Sequence, residues 1–155
     1  MPGLTTANRL RQENRMQTKK IAITRAMKDQ MIRHARENLP DEACGIIAGL
    51  TGEEAIKFYP AKNELQSETR YNIAPEDLYK IFMELEEKGL DIWGIFHSHP
   101  ATPAYPSDTD IRQSYYPDAY YLILSFINPE NPELRAFKIN GEVVEEVELD
   151  TCQQE

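Results

Sequence analysis

The chain has 155 residues, two cysteines, 41% apolar residues and a formal net charge of −9. That is one domain's worth of chain with a core of its own, and too little cysteine for a disulfide scaffold or a thiolate zinc module. The charge is divided, with a net of +6 over residues 1–40 and −15 over residues 41–155, and an acidic body of this kind excludes broad nucleic-acid binding and docking on an anionic membrane.

Residues 1–19 predict a disordered basic arm, because apolar residues are sparse there and follow no period. A transit peptide or a partner-binding arm is the other reading, and Met16 is an alternative start. No apolar core of a signal peptide is visible, and no apolar run approaches the ~18 residues of a membrane span. The expected compartment is a reducing cytoplasm.

The ordered chain is expected over residues 20–150, with 151–155 as a tail. A short strand is expected at Lys20–Ile23, and Thr24 is placed to cap a helix over Arg25–Asn38. Met27, Met31, Ile32 and Ala35 give that helix one apolar face. Ala43–Leu50 suits a buried strand, paired through Thr51-Gly52 with Ala55–Tyr59. Arg70–Ile73 reads as extended. Pro75 opens a helix to about Lys88, with Leu78, Ile81, Phe82 and Leu85 inward and Gly89 as its stop. Leu90–His97 reads as a central strand, and a short helix is expected from Ser107. Ala119–Ile127 is a further strand, and Asn140-Gly141 predicts a type I′ turn joining Leu134–Ile139 to Glu142–Leu149. The pattern is a mixed α/β layer fold.

The chemistry concentrates in His97-Ser98-His99-Pro100 and Ser107-Asp108-Thr109-Asp110. Side chains two apart at a strand end share a face, so His97 and His99 can reach one metal ion while Ser98 turns into packing. Asp110, in the first turn of the next helix, can swing back to the same ion. Two imidazoles and a carboxylate are a ligand set for catalytic zinc that leaves the fourth position to water. A carboxylate near the ion serves as the base in such sites. Glu42, at the mouth of the buried strand, is the candidate, although the His97 segment alone does not separate it from Glu53 or Glu54. Ser107-x-x-Asp110 also reads as a capping box, which is compatible with a ligand role for Asp110.

These residues resemble the His-x-His-x(10)-Asp signature of the JAMM (MPN+) metalloprotease family, and Asp41-Glu42-Ala43-Cys44-Gly45 looks like its upstream glutamate region. The similarity in layout covers roughly residues 20–149. The resemblance implies a three-layer fold like that of cytidine deaminases, with a mixed sheet flanked by helices. It implies zinc on His97, His99 and Asp110, Glu42 as general acid/base, and Ser107 beside the developing oxyanion. It also implies hydrolysis after the C-terminal di-glycine of ubiquitin-like or sulfur-carrier proteins, with release of an attached amino acid such as cysteine. The alternatives are a non-catalytic MPN-type binding module and a DNA-repair-associated JAMM protein.

His34 and Cys44 read as structural, although Cys44 lies near the candidate base. Tyr105, Tyr115, Tyr116, Tyr120 and Tyr121 follow the motif and read either as ordinary aromatics or as the lining of a groove for a di-glycine tail. Oligomeric state and the choice of peptide or isopeptide bond have no signal in the sequence.

Overall fold

The computed structural model describes residues 20–152. The expected arm, 1–19, lies outside the described residues. The elements in order are β1 (Lys20–Thr24), α1 (Arg25–Asn38), β2 (Cys44–Gly49), β3 (Ala55–Ala61), α2 (Pro75–Lys88), β4 (Asp91–His99), α3 (Asp108–Arg112), β5 (Tyr120–Ser125), β6 (Glu133–Asn140) and β7 (Val143–Cys152). The last strand continues through Thr151 and Cys152, two residues past the expected end, because both pair with β1.

Helix ends follow local chemistry. Thr24 Oγ1 accepts the Met27 N–H at 3.1 Å and starts α1. Met27, Met31 and Ala35 recur every four residues, so they share one buried face. In α2, Pro75 occupies the first turn and Gly89 adopts φ 66°, a left-handed stop that glycine tolerates without a Cβ clash. Ile81 and Leu85 are buried as expected, but Phe82 is 38% exposed, since it lies one step off the apolar stripe.

The seven strands form one sheet in the order β1-β7-β6-β5-β4-β2-β3. The β1–β7 and β4–β5 pairs are parallel and the other neighbours antiparallel. α1 covers one face, over Ile23, Ile47, Phe96, Leu122 and Leu124. α2 covers the other, over Ile46, Ile95, Ile123 and Tyr121. The result is the expected helix–sheet–helix arrangement, with β4 and β5 buried on both sides.

Two details differ from expectation. Asn140 pairs with Val143, so the β6–β7 turn is centred on Gly141-Glu142, and only Gly141 has positive φ. Positive φ at the first central residue alone makes a type II′ turn, not I′. Arg70–Ile73 is not a full strand; it makes one isolated bridge, Asn63 with Ile73.

β4 also carries an irregularity. Ile47 faces Gly94 and Ala48 faces Ile92, so Trp93 is an extra residue against β2. Ile92 and Ile95 therefore both turn toward α2, while Trp93 and Phe96 turn toward α1.

Candidate metal centre

Side chains from three parts of the chain meet at one end of the sheet. β4 ends with His97 and His99 on the α2 side, next in line after Ile95. Ser98 points the other way, fully buried, and its Oγ accepts the Ala43 N–H at 2.8 Å. The antiparallel register places Cys44 opposite His97, which brings Glu42 to the same edge. Glu53 and Glu54 precede β3 at the other end of β2, where Gly49 pairs with Asp91.

The approach of α3 is fixed by its cap. Ser107 Oγ accepts the Asp110 N–H at 3.1 Å, and Asp110 Oδ2 accepts the Ser107 N–H at 2.9 Å. This is the expected capping box, and it aims the same carboxylate oxygen at the histidines. Asp110 Oδ2 lies 3.0 Å from His97 Nε2 and 3.0 Å from His99 Nε2, and the two nitrogens are 3.1 Å apart. A Glu42 oxygen lies within 4.8 Å of a ring nitrogen of each histidine. All four residues are at most 9% exposed.

Three donor atoms converging on one point, two imidazole nitrogens and one carboxylate oxygen, fit a small divalent ion with short bonds to mixed N and O ligands. Glu42 Oε1 is buried without a hydrogen-bond partner among the described residues, as suits a carboxylate kept for a polar group in the cleft. That cleft has a volume of about 590 Å³ and is lined by Leu39, Pro40, Glu42, His99, Pro100 and Ser107. A larger groove of about 820 Å³ runs beside α2, along Tyr59, Tyr79 and Met83, and holds none of these four residues.

The sequence pattern of the family described as prokaryotic homologs of the JAB domain matches residues 24–140. A CysO-cysteine peptidase from Mycobacterium tuberculosis is 37% identical over 128 residues, covering 81% of this chain and 88% of its own length. The chain belongs to the prokaryotic JAB-domain family. A desampylase from Haloferax volcanii is 30% identical to this JAB-domain protein, over 71% of the chain and 84% of the relative. The solution structure of a protein from Desulfitobacterium hafniense superposes with a TM-score of 0.78 at 34% identity, over 86% of this chain and 94% of that one. The mycobacterial relative of this JAB-domain protein is named a peptidase.

Electrostatics separate the groups. Burial pushes Glu42 up to about 8, and Asp110 adds to this while His99 opposes it. Burial alone would also raise Asp110, but its pairing with His97 and hydrogen bonds with His99 and the Ser107 N–H hold it far below the usual carboxylate range. Burial keeps His97 low. It also works against charge on His99, where the Asp110 and Pro103 oxygens more than offset it. Cys44 is pushed to about 12, chiefly by burial, so it is no thiolate nucleophile and its structural reading stands. His34 is structural too, with Nε2 at 2.9 Å from Cys44 O and 3.2 Å from Ala61 O.

The five tyrosines divide. Tyr115, Tyr116 and Tyr121 line a cavity of about 170 Å³ with Tyr71. Tyr105 meets Phe137 edge-on, and Tyr120 packs against Trp93.

Two residues near the centre carried no signal in the sequence. Asn63 is buried and uses its whole side chain: it donates to Glu42 O and Arg70 O at 3.0 Å, and accepts from Leu65 N and Asn72 N at 3.1 Å. Together with the Glu42 N–H bond to Ser67 O at 2.8 Å, it ties Glu42 to the loop between β3 and α2. Tyr71, on that loop, stacks on His97. A polar loop of this length shows no period from which either contact could be read.

Proposed function

We propose that the protein is a zinc-dependent peptidase that cuts after the C-terminal di-glycine of ubiquitin-like or sulfur-carrier proteins, releasing an attached amino acid such as cysteine. The observation that carries this reading is the meeting of His97 Nε2, His99 Nε2 and Asp110 Oδ2, with a buried Glu42 carboxyl oxygen within 4.8 Å of a ring nitrogen of each histidine. The names of the mycobacterial and haloarchaeal relatives support the substrate class.

In this reading His97, His99 and Asp110 hold one zinc ion, which supplies Lewis acidity for water and for the scissile carbonyl. Glu42 accepts the proton of the attacking water and delivers it to the leaving amine. Burial makes the Glu42 carboxylate more basic than a solvated one, which suits a group that takes up and returns a proton. Ser107 Oγ already accepts one N–H, which leaves its own hydrogen to donate to the developing oxyanion. Leu39, Pro40 and Pro100 give the cleft apolar walls that limit water around the reacting bond. Residues 20–150 form the catalytic domain in this proposal, extended to Cys152 by β7. Two free thiols, Cys44 and Cys152, suit a reducing cytoplasm.

The test is incubation of the zinc-loaded protein with di-glycine-ended carrier proteins that bear C-terminal extensions, read by mass spectrometry. Release of the extension is expected, with Glu42→Gln slowing it about 10²–10⁴-fold at unchanged zinc content. Full turnover by Glu42→Gln would remove that residue from the mechanism, and wild-type protein free of zinc would favour a binding module.

A further inference from the structure

The two histidines of the centre are held in different ways. His99 has a partner on each nitrogen: Nε2 meets Asp110 Oδ2 and Nδ1 lies 2.8 Å from Pro103 O. A carbonyl only accepts, so Nδ1 carries a hydrogen, and Nε2 is the nitrogen that would turn its lone pair to a bound ion. This is the usual arrangement of a metal-binding histidine, with an outer hydrogen bond setting tautomer and ring direction. His97 lacks it. Its Nδ1 is buried and has no hydrogen-bond partner among the described residues, although the ring is 1% exposed and its Nε2 faces the same Asp110 oxygen.

What His97 has is Tyr71. The two rings lie 4.5 Å apart between centroids with an interplanar angle of 20°, a near-parallel stack. Tyr71 is itself braced from both sides in sequence. Arg70 O and Asn72 N are both bonded to the Asn63 side chain, Glu64 N reaches Asn72 O at 2.9 Å, and Ile73 bridges to Asn63. Tyr71 also lines the 170 Å³ cavity beside Tyr116 and Tyr121. A smaller, non-aromatic side chain at 71 would therefore give the His97 ring room to tilt.

We propose that Tyr71 is a positioning residue for His97: its ring fixes the plane in which Nε2 points at the metal, as the Pro103 carbonyl does for His99. The inference rests on the metal reading of the centre given above. The aromatic face, not the phenol hydroxyl, does the work. Among the described residues Tyr71 makes no side-chain hydrogen bond to the donor atoms, and its contact with the centre is the stack on the His97 ring.

The experiment compares wild type, Tyr71→Phe and Tyr71→Leu as full chains, with zinc affinity measured by chelator competition and the visible spectrum recorded after cobalt loading. Outer partners of metal ligands are typically worth about 10–100-fold in affinity, so Tyr71→Leu is expected to weaken zinc by about tenfold or more, and Tyr71→Phe by no more than about twofold. The cobalt bands should shift in Tyr71→Leu and stay in place in Tyr71→Phe, and kcat should fall with KM held. Circular dichroism of the metal-free proteins checks the fold. If Tyr71→Leu does not fold, Tyr71→Met supplies the non-aromatic arm. A folded non-aromatic variant with wild-type zinc affinity and cobalt spectrum overturns the positioning role, and so does a loss in Tyr71→Phe equal to that in Tyr71→Leu. Wild-type protein that binds neither metal overturns the metal reading itself, a result distinct from normal binding by all variants.

Discussion

Ser107 is asked to do two things, and they separate by substitution. Its Oγ accepts the Asp110 N–H as the cap of α3, and in the proposed reaction its hydrogen faces the oxyanion. Ser107→Ala removes both and should lower stability by about 1 kcal/mol and turnover by about 10²–10³-fold. Ser107→Asp restores the cap but has no hydrogen to donate when ionised. Its melting temperature should recover while its turnover does not, as thermal melts and steady-state rates would show. Recovery of both in Ser107→Asp would leave Ser107 as a cap alone. At this scale the motif residues were legible because a strand end and a helix start impose fixed spacings on them. Glu42 was legible from its place at the mouth of the buried strand and from the family resemblance, whereas the His97 segment alone did not separate it from Glu53 or Glu54. The register of β2 against β4 separates them, placing Glu42 beside His97 and leaving Glu53 and Glu54 at the opposite end of the strand. Asn63 and Tyr71 were not legible at all, since a loop's hydrogen bonds depend on its three-dimensional path.

Among the elements, β2 has little freedom. It lies between β3 and β4 and every residue in it is buried. A Cβ at Gly45 would come within 2.6 Å of Tyr59 O and 2.7 Å of Phe58 Cε1, and the first of these is backbone that cannot rotate away. Gly45→Ala should therefore destabilise the protein by about 1–3 kcal/mol, seen as a lower urea midpoint at unchanged slope. A midpoint equal to wild type would mean that β3, at the edge of the sheet, moves aside for the added methyl group. The bounds of α1 and α2 were legible because their ends are chemical events: a threonine oxygen on an N–H, a proline in a first turn, a glycine at positive φ; α3 had only an expected start at Ser107, which is its cap and not its first residue. The β4 irregularity was hidden. In an apolar run buried on both faces, alternation carries no information, so nothing marked Trp93 as the extra residue that sets which face His97 shares with Ile95. The hairpin turn was placed one residue early for a similar reason, since Asn140-Gly141 fits a turn whether or not Asn140 still pairs.

For the whole molecule, the divided charge takes on a spatial meaning. One face of β7 carries Glu146, Glu148 and Asp150 in alternation; Arg135 pairs with Glu146, and Lys20 lies 3.8 Å from Asp150. Pairs this exposed contribute little, about 0–1 kcal/mol each. The candidate centre instead couples ligand binding to global stability. Free zinc at 100 times its dissociation constant should add about 2.7 kcal/mol. Addition of a strong chelator should thus lower the melting temperature of wild type and leave Asp110→Ala unmoved. Identical melts of wild type with and without chelator would deny the metal any part in the folded state. Among the described residues, no helix is long and apolar enough to cross a membrane. The layer class was legible from alternating helical and strand periods, but strand order was not, because a period states which face is buried and not which neighbour lies alongside.

That order has a consequence in time. β1 is the first strand described and its sheet partner is β7, the last, matched from Lys20 with Glu148 to Thr24 with Cys152. During synthesis, all four residues of the centre and the six strands before β7 leave the ribosome before the partner of β1 exists. Ile21 and Ile23, which help to cover the core under α1, must wait for it. The pairing is thus the most distant in sequence that the sheet contains, and closing so long a loop is the slow kind of folding event. A chain stopped shortly before Val143 would hold every chemical group of the centre and still lack the strand that holds its own beginning in place.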